Sequence, residues 1–334
     1  MTNDALLLAI HLIPGLRWNE KLALWENTQD DSVFRALSAA DVERVAERPL
    51  WHDWKPSEIL AQAEAMMKGI LARKIRLLGY HDPAYPPQLR EIYDPPFLLF
   101  CRGEIPAWDF TALAIVGTRY PSGRARRAAW ELAAQAARQG VSVVSGLARG
   151  IDGEAHRGCL EAGGHTIAVL GNGADTVFPS SHKALASRIL DSGGLVMTEY
   201  APGAGVRKYF FPARNRIISG LSRAVVVAEA PAKSGALITA GYALQQGRDL
   251  YVHAEGLPGG EGGRRLAEDG ALPVNCIDDI IRDWGEEPAA APEMTLGIPQ
   301  KRSPGKNMAL FLEEELAGNL ARHQGNYFRR NQDG

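Results

Sequence analysis

Apolar and polar positions change their rhythm twice along the chain. Up to about residue 72 the spacing is helical, in Leu6 to Ile13, Leu22 to Trp25 and Ile59 to Met67, interrupted by Pro14-Gly15, Pro49 and Pro56. A small all-helical domain is predicted over 1–72. Residues 73–110 carry Pro83, Pro86, Pro87, Pro95, Pro96 and Pro106 between short apolar stretches, which predicts a connecting extension ending in the strand Phe97-Leu98-Leu99-Phe100.

From 111 the chain alternates uninterrupted apolar runs with helical stretches. The runs are Leu113 to Val116, Val141 to Val144, Thr166 to Leu170, Leu195 to Thr198, Ala224 to Ala228 and Leu250 to Val252. Between them, Arg124 to Arg138 places Ala129, Leu132, Ala133 and Ala136 at helical spacing, and Ala236 to Gln246 reads the same way. Runs apolar on both faces, alternating with helices, predict an α/β fold with a doubly wound, mostly parallel sheet over 111–284. Prolines 288, 292, 299 and 304 mark 285–307 as a linker, and Met308 to Arg322 reads as an amphipathic helix within a short tail, 308–334, too short to make a domain alone.

Composition narrows the class. The chain has 334 residues, 46% hydrophobic and 23% charged, which suits a folded globular protein. Cys101, Cys159 and Cys276 have no metal-ligand spacing and are odd in number, so they are expected to be small buried residues of a cytosolic protein. The N-terminal apolar run lacks a basic start and is too short for a bilayer, so no membrane segment is expected. The scattered His81, His165, His182 and His253 predict no metal.

Net charge is −2, so any affinity for nucleic acid must be local. Two acid-free runs supply it. One holds Arg119, Arg124, Arg126 and Arg127; the other holds Arg207, Lys208, Arg214, Arg216 and Arg223. Glycine-rich turns follow four apolar runs: Gly117-Thr118-Arg119, Ser145 to Gly150, Gly171-Asn172-Gly173 and Lys233-Ser234-Gly235. In a doubly wound sheet these turns would line one crevice with backbone amides suited to phosphates. Lys208, Tyr209, Phe210 and Phe211 precede Arg214 and Arg216, a mixture that fits a single strand, with cations on phosphates and aromatic faces on unpaired bases. The other reading of the same residues is two core phenylalanines and arginines in ion pairs. Ile13-Pro14-Gly15-Leu16 likewise fits either a plain αα-hairpin or a phosphate-binding helix-hairpin-helix turn. Asp152 and His156 stand at i,i+4 spacing, which serves a helix-start hydrogen bond or an oriented imidazole.

The ordered stretches Ala114-Ile115-Val116-Gly117-Thr118-Arg119, Val144 to Asp152 with Ala155-His156, Phe211-Pro212-Ala213-Arg214-Asn215-Arg216-Ile217-Ile218, and Ser234-Gly235-Ala236-Leu237-Ile238-Thr239-Ala240 resemble the DprA/Smf family. The resemblance covers about 75–282. It implies an extended Rossmann-like domain, a homodimer, sequence-independent binding of single-stranded DNA and loading of the RecA recombinase, in DNA processing, natural transformation and recombination. It implies no enzyme activity and no cofactor. By motif match the DNA contacts are Arg119, Lys208 and Phe211, with Gly146 and Arg149 beside them, while Arg214 and Arg216 are DNA-binding candidates divided between the strand and structural pairing. The chain departs from the family at Glu261 to Leu266, where an expected asparagine is missing and Arg264 and Arg265 stand.

Two enzymes share this kind of sheet. An NAD enzyme would need Gly-x-Gly-x-x-Gly at the first turn, where Gly117-Thr118-Arg119-Tyr120-Pro121 stands. A nucleotide phosphoribohydrolase of the lysine-decarboxylase-like fold would need a glutamate that Ser234 to Tyr242 lacks.

Overall fold

In the computed structural model, which describes residues 3–28, 30–50, 53–289, 320–323 and 326–329, the apolar runs form the centre of one sheet. Its strands are β1 (Arg76–Gly79), β2 (Leu98–Gly103), β3 (Ala112–Val116), β4 (Ser142–Ser145), β5 (Thr166–Val169), β6 (Leu195–Thr198), β7 (Ala224–Val227), β8 (Asp249–His253) and β9 (Leu272–Val274). The order is β1-β2-β6-β5-β4-β3-β7-β8-β9. Strands β3 to β9 run parallel, and every residue of β3 to β7 is buried, as apolar runs covered on both faces require. The fold is α/β and Rossmann-like, as the alternation predicts.

The connecting extension does more than link. Its β1 and β2 pair antiparallel, Arg76 opposite Cys101, and β2 adds antiparallel to β6, Phe100 opposite Thr198. The sheet therefore continues past the parallel core at one edge.

Helices α7 (Gly123–Arg138), α8 (Ile151–Glu161), α9 (Lys183–Asp191) and α13 (Ile277–Asp283) cover one face. Helices α6 (Pro87–Arg90), α10 (Phe210–Gly220), α11 (Gly235–Gln245) and α12 (Glu261–Glu268) cover the other. Consecutive residues go to opposite faces: Leu113 and Ile115 pack under α7 and α8, while Ala114 and Val116 pack under α10 and α11.

The N-terminal helices are α1 (Asn3–Leu12), α2 (Trp18–Asn27), α3 (Asp31–Ala36), α4 (Ala39–Ala46) and α5 (Pro56–Ala72). Leu6 to Ile10 are all buried, because α1 lies within a core that joins Leu24, Phe34, Leu60 and Ile70 to Phe97, Leu98 and Phe100 of the extension. Residues 1–286 thus form one compact unit, and 287–334 a second.

In the second unit Leu320–His323 (β10) pairs antiparallel with Asn326–Arg329 (β11). The predicted helix through Arg322 is thereby corrected at its end; its part before Leu320, like most of the linker, lies outside the described residues. Tyr327 and Phe328 favour strand, and a pairing partner outweighs a weak helical spacing. Cys101 and Cys159 are buried and their thiols are pushed up to about 12, but Cys276 is half-exposed at the start of α13.

Candidate nucleic-acid interface

The chain leaves β3 toward β4 on one side and later returns to place β7 on the other, so β3 and β7 flank the point where the winding reverses. The helix connections diverge there and leave a crevice beyond the strand ends. Such a crevice exists, about 810 Å³ in volume. Val116 to Tyr120 form one wall, Pro231 to Ala236 another, and Phe211, Pro212, Arg214 and Asn215 of α10 the floor.

Two loops are stitched together at its base. The Ile151 amide donates to the Thr118 carbonyl at 3.2 Å, and the Thr118 amide donates to the Glu229 carbonyl at 2.8 Å. Gly150 turns the chain with φ +77°, and a Cβ there would lie 2.4 Å from the Thr118 oxygen, so only glycine fits. Asp152 accepts from the amides of Gly146 at 3.1 Å and Ala148 at 3.4 Å. Burial pushes its carboxyl up from the usual range, opposed by Arg214 and these amides. His156 gives its Nδ1 to Thr166 Oγ1 at 2.8 Å, and burial drives its pKa down to about 3. Each residue of the i,i+4 pair therefore has its own structural partner.

Arg214 and Arg216 separate in role. Arg214 is buried and donates to the carbonyls of Gly146, at 2.7 Å, and Val169. Gly146 makes room for it: a Cβ there would meet the guanidinium at 2.5 Å. Burial lowers the Arg214 pKa to about 10, with Asp152 countering. Arg216 faces away from the crevice. Its Nη1 and Nη2 grip the Glu199 carboxylate at 2.6 and 2.7 Å, and its Nε donates to the Asp94 carbonyl at 2.7 Å. Burial opposes its charge, yet the Glu199 carboxylate holds its pKa above the ordinary arginine value. Of the two readings offered by the sequence, Arg216 follows ion pairing.

The aromatic run also divides. Phe210 stacks on Tyr200, ring centres 3.7 Å apart, while Phe211 faces the crevice with the Arg119 guanidinium 5.5 Å from its centre. Arg119, Lys208 and Lys233 line the rim, are exposed, and form no ion pair among the described residues.

The structure thus brings together Arg119, Lys208, Phe211 and Arg214, with Gly146 beneath Arg214. Arg149 is exposed but does not line the crevice. The predicted meeting of four turns is corrected to three, because Gly171 sits behind Phe211, where a Cβ would meet the ring at 2.9 Å. The sequence reading missed Phe178, whose ring lies 5.6 Å from that of Phe211, and Tyr120, which is 84% exposed at the rim. Their one signal was an aromatic just beyond a glycine turn.

The α1–α2 turn is an αα-hairpin. Its Arg17 amide donates to Glu20 at 2.7 Å, and Arg48 holds the Gly15 carbonyl at 2.6 Å, so a carboxylate already takes the amide that a phosphate would need.

A family described as DNA recombination-mediator protein A matches residues 76–285. Protein Smf of Escherichia coli K12 is 43% identical over 201 residues, which cover 60% of this chain and 54% of that protein, so the chain spans little more than half of this relative. The X-ray structure of DNA processing protein A from Streptococcus pneumoniae superposes with a TM-score of 0.67 at 33% identity, covering 85% of this chain and 98% of that one. DNA processing protein A from Helicobacter pylori, described for its single-stranded DNA binding mode, gives 0.57 at 29% identity, covering 63% and 95%. Among the described residues no helix is long and apolar enough to cross a membrane.

Proposed function

The chain belongs to the DNA recombination-mediator protein A family, and on that premise we propose that its crevice binds single-stranded DNA without sequence preference and without covalent chemistry. The observation that carries this reading is the rim. Arg119, Lys208 and Lys233 stand exposed and, among the described residues, without carboxylate partners around the rings of Phe211 and Phe178. Cations so placed take backbone phosphates, and an aromatic face takes an unpaired base whatever its identity. Duplex DNA keeps its bases stacked inside, so the aromatic part of the site favours a single strand.

Arg119, Lys208 and Phe211 are the direct contacts in this reading. Gly146 and Arg214 shape the floor, Arg149 meets the strand only outside the crevice, and Arg216 serves the fold. The family resemblance further supports a cytosolic homodimer that passes the coated strand to the RecA recombinase during DNA processing. The structure of the Helicobacter pylori relative, described for single-strand binding, supports the same assignment.

The enzyme alternative, a phosphoribohydrolase, needs a free carboxylate at the sugar. Among the described residues lining the crevice the one carboxylate is Asp152, which accepts from two backbone amides and feels the charge of nearby Arg214. Release of base from a nucleoside monophosphate would restore that alternative.

The test is salt-titrated fluorescence anisotropy with oligo-dT and with duplex DNA of equal length. Oligo-dT is expected to bind more tightly, with log K falling against log salt by about 0.7 per phosphate contact. Arg119→Glu and Lys208→Glu should each weaken binding by roughly tenfold or more and flatten that slope, with the unfolding midpoint unchanged. Equal affinity for duplex, or two charge reversals that bind like the parent protein, would overturn the reading.

A further inference from the structure

A second cavity, of about 320 Å³, lies where the α1–α2 turn meets residues 94–98 and the Glu199–Arg216 pair. It lies at the small end of ligand sites. Trp18, Pro95, Pro96 and Phe97 give it flat apolar walls, and His11, Arg17 and Lys21 give it polar ones.

The acids around this cavity are already engaged. Both oxygens of Glu199 are held by Arg216, Asp94 lies 3.2 Å from Arg216 Nε, and neighbouring Glu20 is held by Arg48 and by the Arg17 amide. The bases are not. Lys21 Nζ makes one hydrogen bond, at 2.7 Å, to the His11 carbonyl, although an ammonium has three donors. Among the described residues neither Lys21 nor Arg17 forms an ion pair. His11 Nδ1 is buried with no hydrogen-bond partner. Burial lowers Lys21 to about 8, and the nearby Glu199 and Glu20 carboxylates offset that desolvation only in part; burial with the nearby Lys21 lowers His11 as well. Unsatisfied polar groups converging on one cavity call for a ligand.

We propose that this cavity binds a small phosphate, either inorganic phosphate or a phosphate monoester, with Lys21 and Arg17 on its oxygens, His11 Nδ1 as a further hydrogen-bond partner and Trp18 beside the rest of the ligand. Phosphate suits the set better than a carboxylate does. An ionised carboxylate only accepts, whereas a phosphate near its second ionisation, at a pKa of about 6 for a monoester and nearer neutrality for inorganic phosphate, offers both acceptor oxygens and an O–H, and so can serve either tautomer of His11. The unpaired Lys21 and Arg17 supply the positive charge. The site is separate from the DNA crevice and does not depend on the function proposed for it.

Titration of the full chain with inorganic phosphate, followed by calorimetry, tests this. One phosphate per chain is expected, saturating at millimolar concentrations. Lys21→Met should weaken it at least tenfold and exposed Arg17→Ala severalfold, as expected for charged hydrogen bonds worth about 1.5–3 kcal/mol. The Arg119→Glu/Lys208→Glu double variant should leave it intact. In the parent protein, phosphate should also protect Lys21 from trace acetylation at pH 8, a readout that does not depend on the variants folding. Comparing 5′-phosphorylated with unphosphorylated oligo-dT asks whether the phosphate comes from a DNA end: a preference lost in Lys21→Met assigns the site to that source. No saturation by about 50 mM, no protection of Lys21, or binding lost in the crevice double variant and kept in Lys21→Met would overturn the proposal.

Discussion

The rim and the floor of the crevice are both built from basic residues, yet they use charge in opposite ways. On the rim, Arg119, Lys208 and Lys233 are exposed and unpaired among the described residues. On α10 below, Arg214 and Arg216 are buried with carbonyl or carboxylate partners on their guanidinium nitrogens. A buried arginine must be matched or it destabilises the fold, whereas an exposed one stays hydrated and available to a ligand. Charge on this surface therefore marks binding, and charge beneath it marks architecture.

The largest expected effect breaks the buried pairing on the far side of α10 from the crevice. Arg216→Met leaves the Glu199 carboxylate without its partner at a largely buried site, which should cost about 3–5 kcal/mol in denaturant unfolding. The fraction that still folds should keep the parental salt slope for oligo-dT. A changed slope would place Arg216 among the DNA contacts after all.

A second effect, on the order of a few kcal/mol, separates the buried layer by pH. His156 is held neutral down to about pH 3 in the fold but takes a proton near 6.5 once unfolded. The unfolded chain therefore binds more protons in that window, so the stability present above pH 6.5 is lost as pH falls toward 3. Unfolding measured across this range should show a shallower acid slope in His156→Gln, whose side chain does not titrate. Identical slopes would remove His156 from the account.

The smallest effect sharpens the rim itself. Phe211→Ala should lose about 1–3 kcal/mol of oligo-dT affinity, the contribution of one stacked base, with the salt slope kept, because stacking releases no counterions. A flattened slope would mean that Phe211 acts by holding Arg119, 5.5 Å from its ring, and not by stacking.

Much of this fold is legible in local pattern. The run Leu113 to Val116 became β3 with one residue added, and Ala224 to Ala228 became β7 with one removed, because strands covered on both faces must be apolar throughout. The edge strands were not legible. Arg76–Gly79 and Leu272–Val274 are short, partly exposed and, in β9, contain proline, so their pairing with distant strands defines them more than their own residues do. The extension accordingly read as a connector, and the hairpin at Leu320 to Arg329 as part of a helix.

The candidate site divides along the same line. The sequence by itself determined the glycine turns, the acid-free runs and the Phe211 to Ile218 segment, since turn chemistry, charge and motif are local properties of the chain. Only the tertiary structure decided which of these residues face the same space. Helix α10 sends Phe211 and Arg214 toward β3 and β7 but Arg216 toward Glu199, a difference of two positions that helical geometry turns to another side. It also seats Gly171 behind Phe211, brings in Phe178, and leaves Lys21 in a cavity of its own. Whether a charge is matched depends on partners far along the chain, and only the folded chain brings those partners within reach.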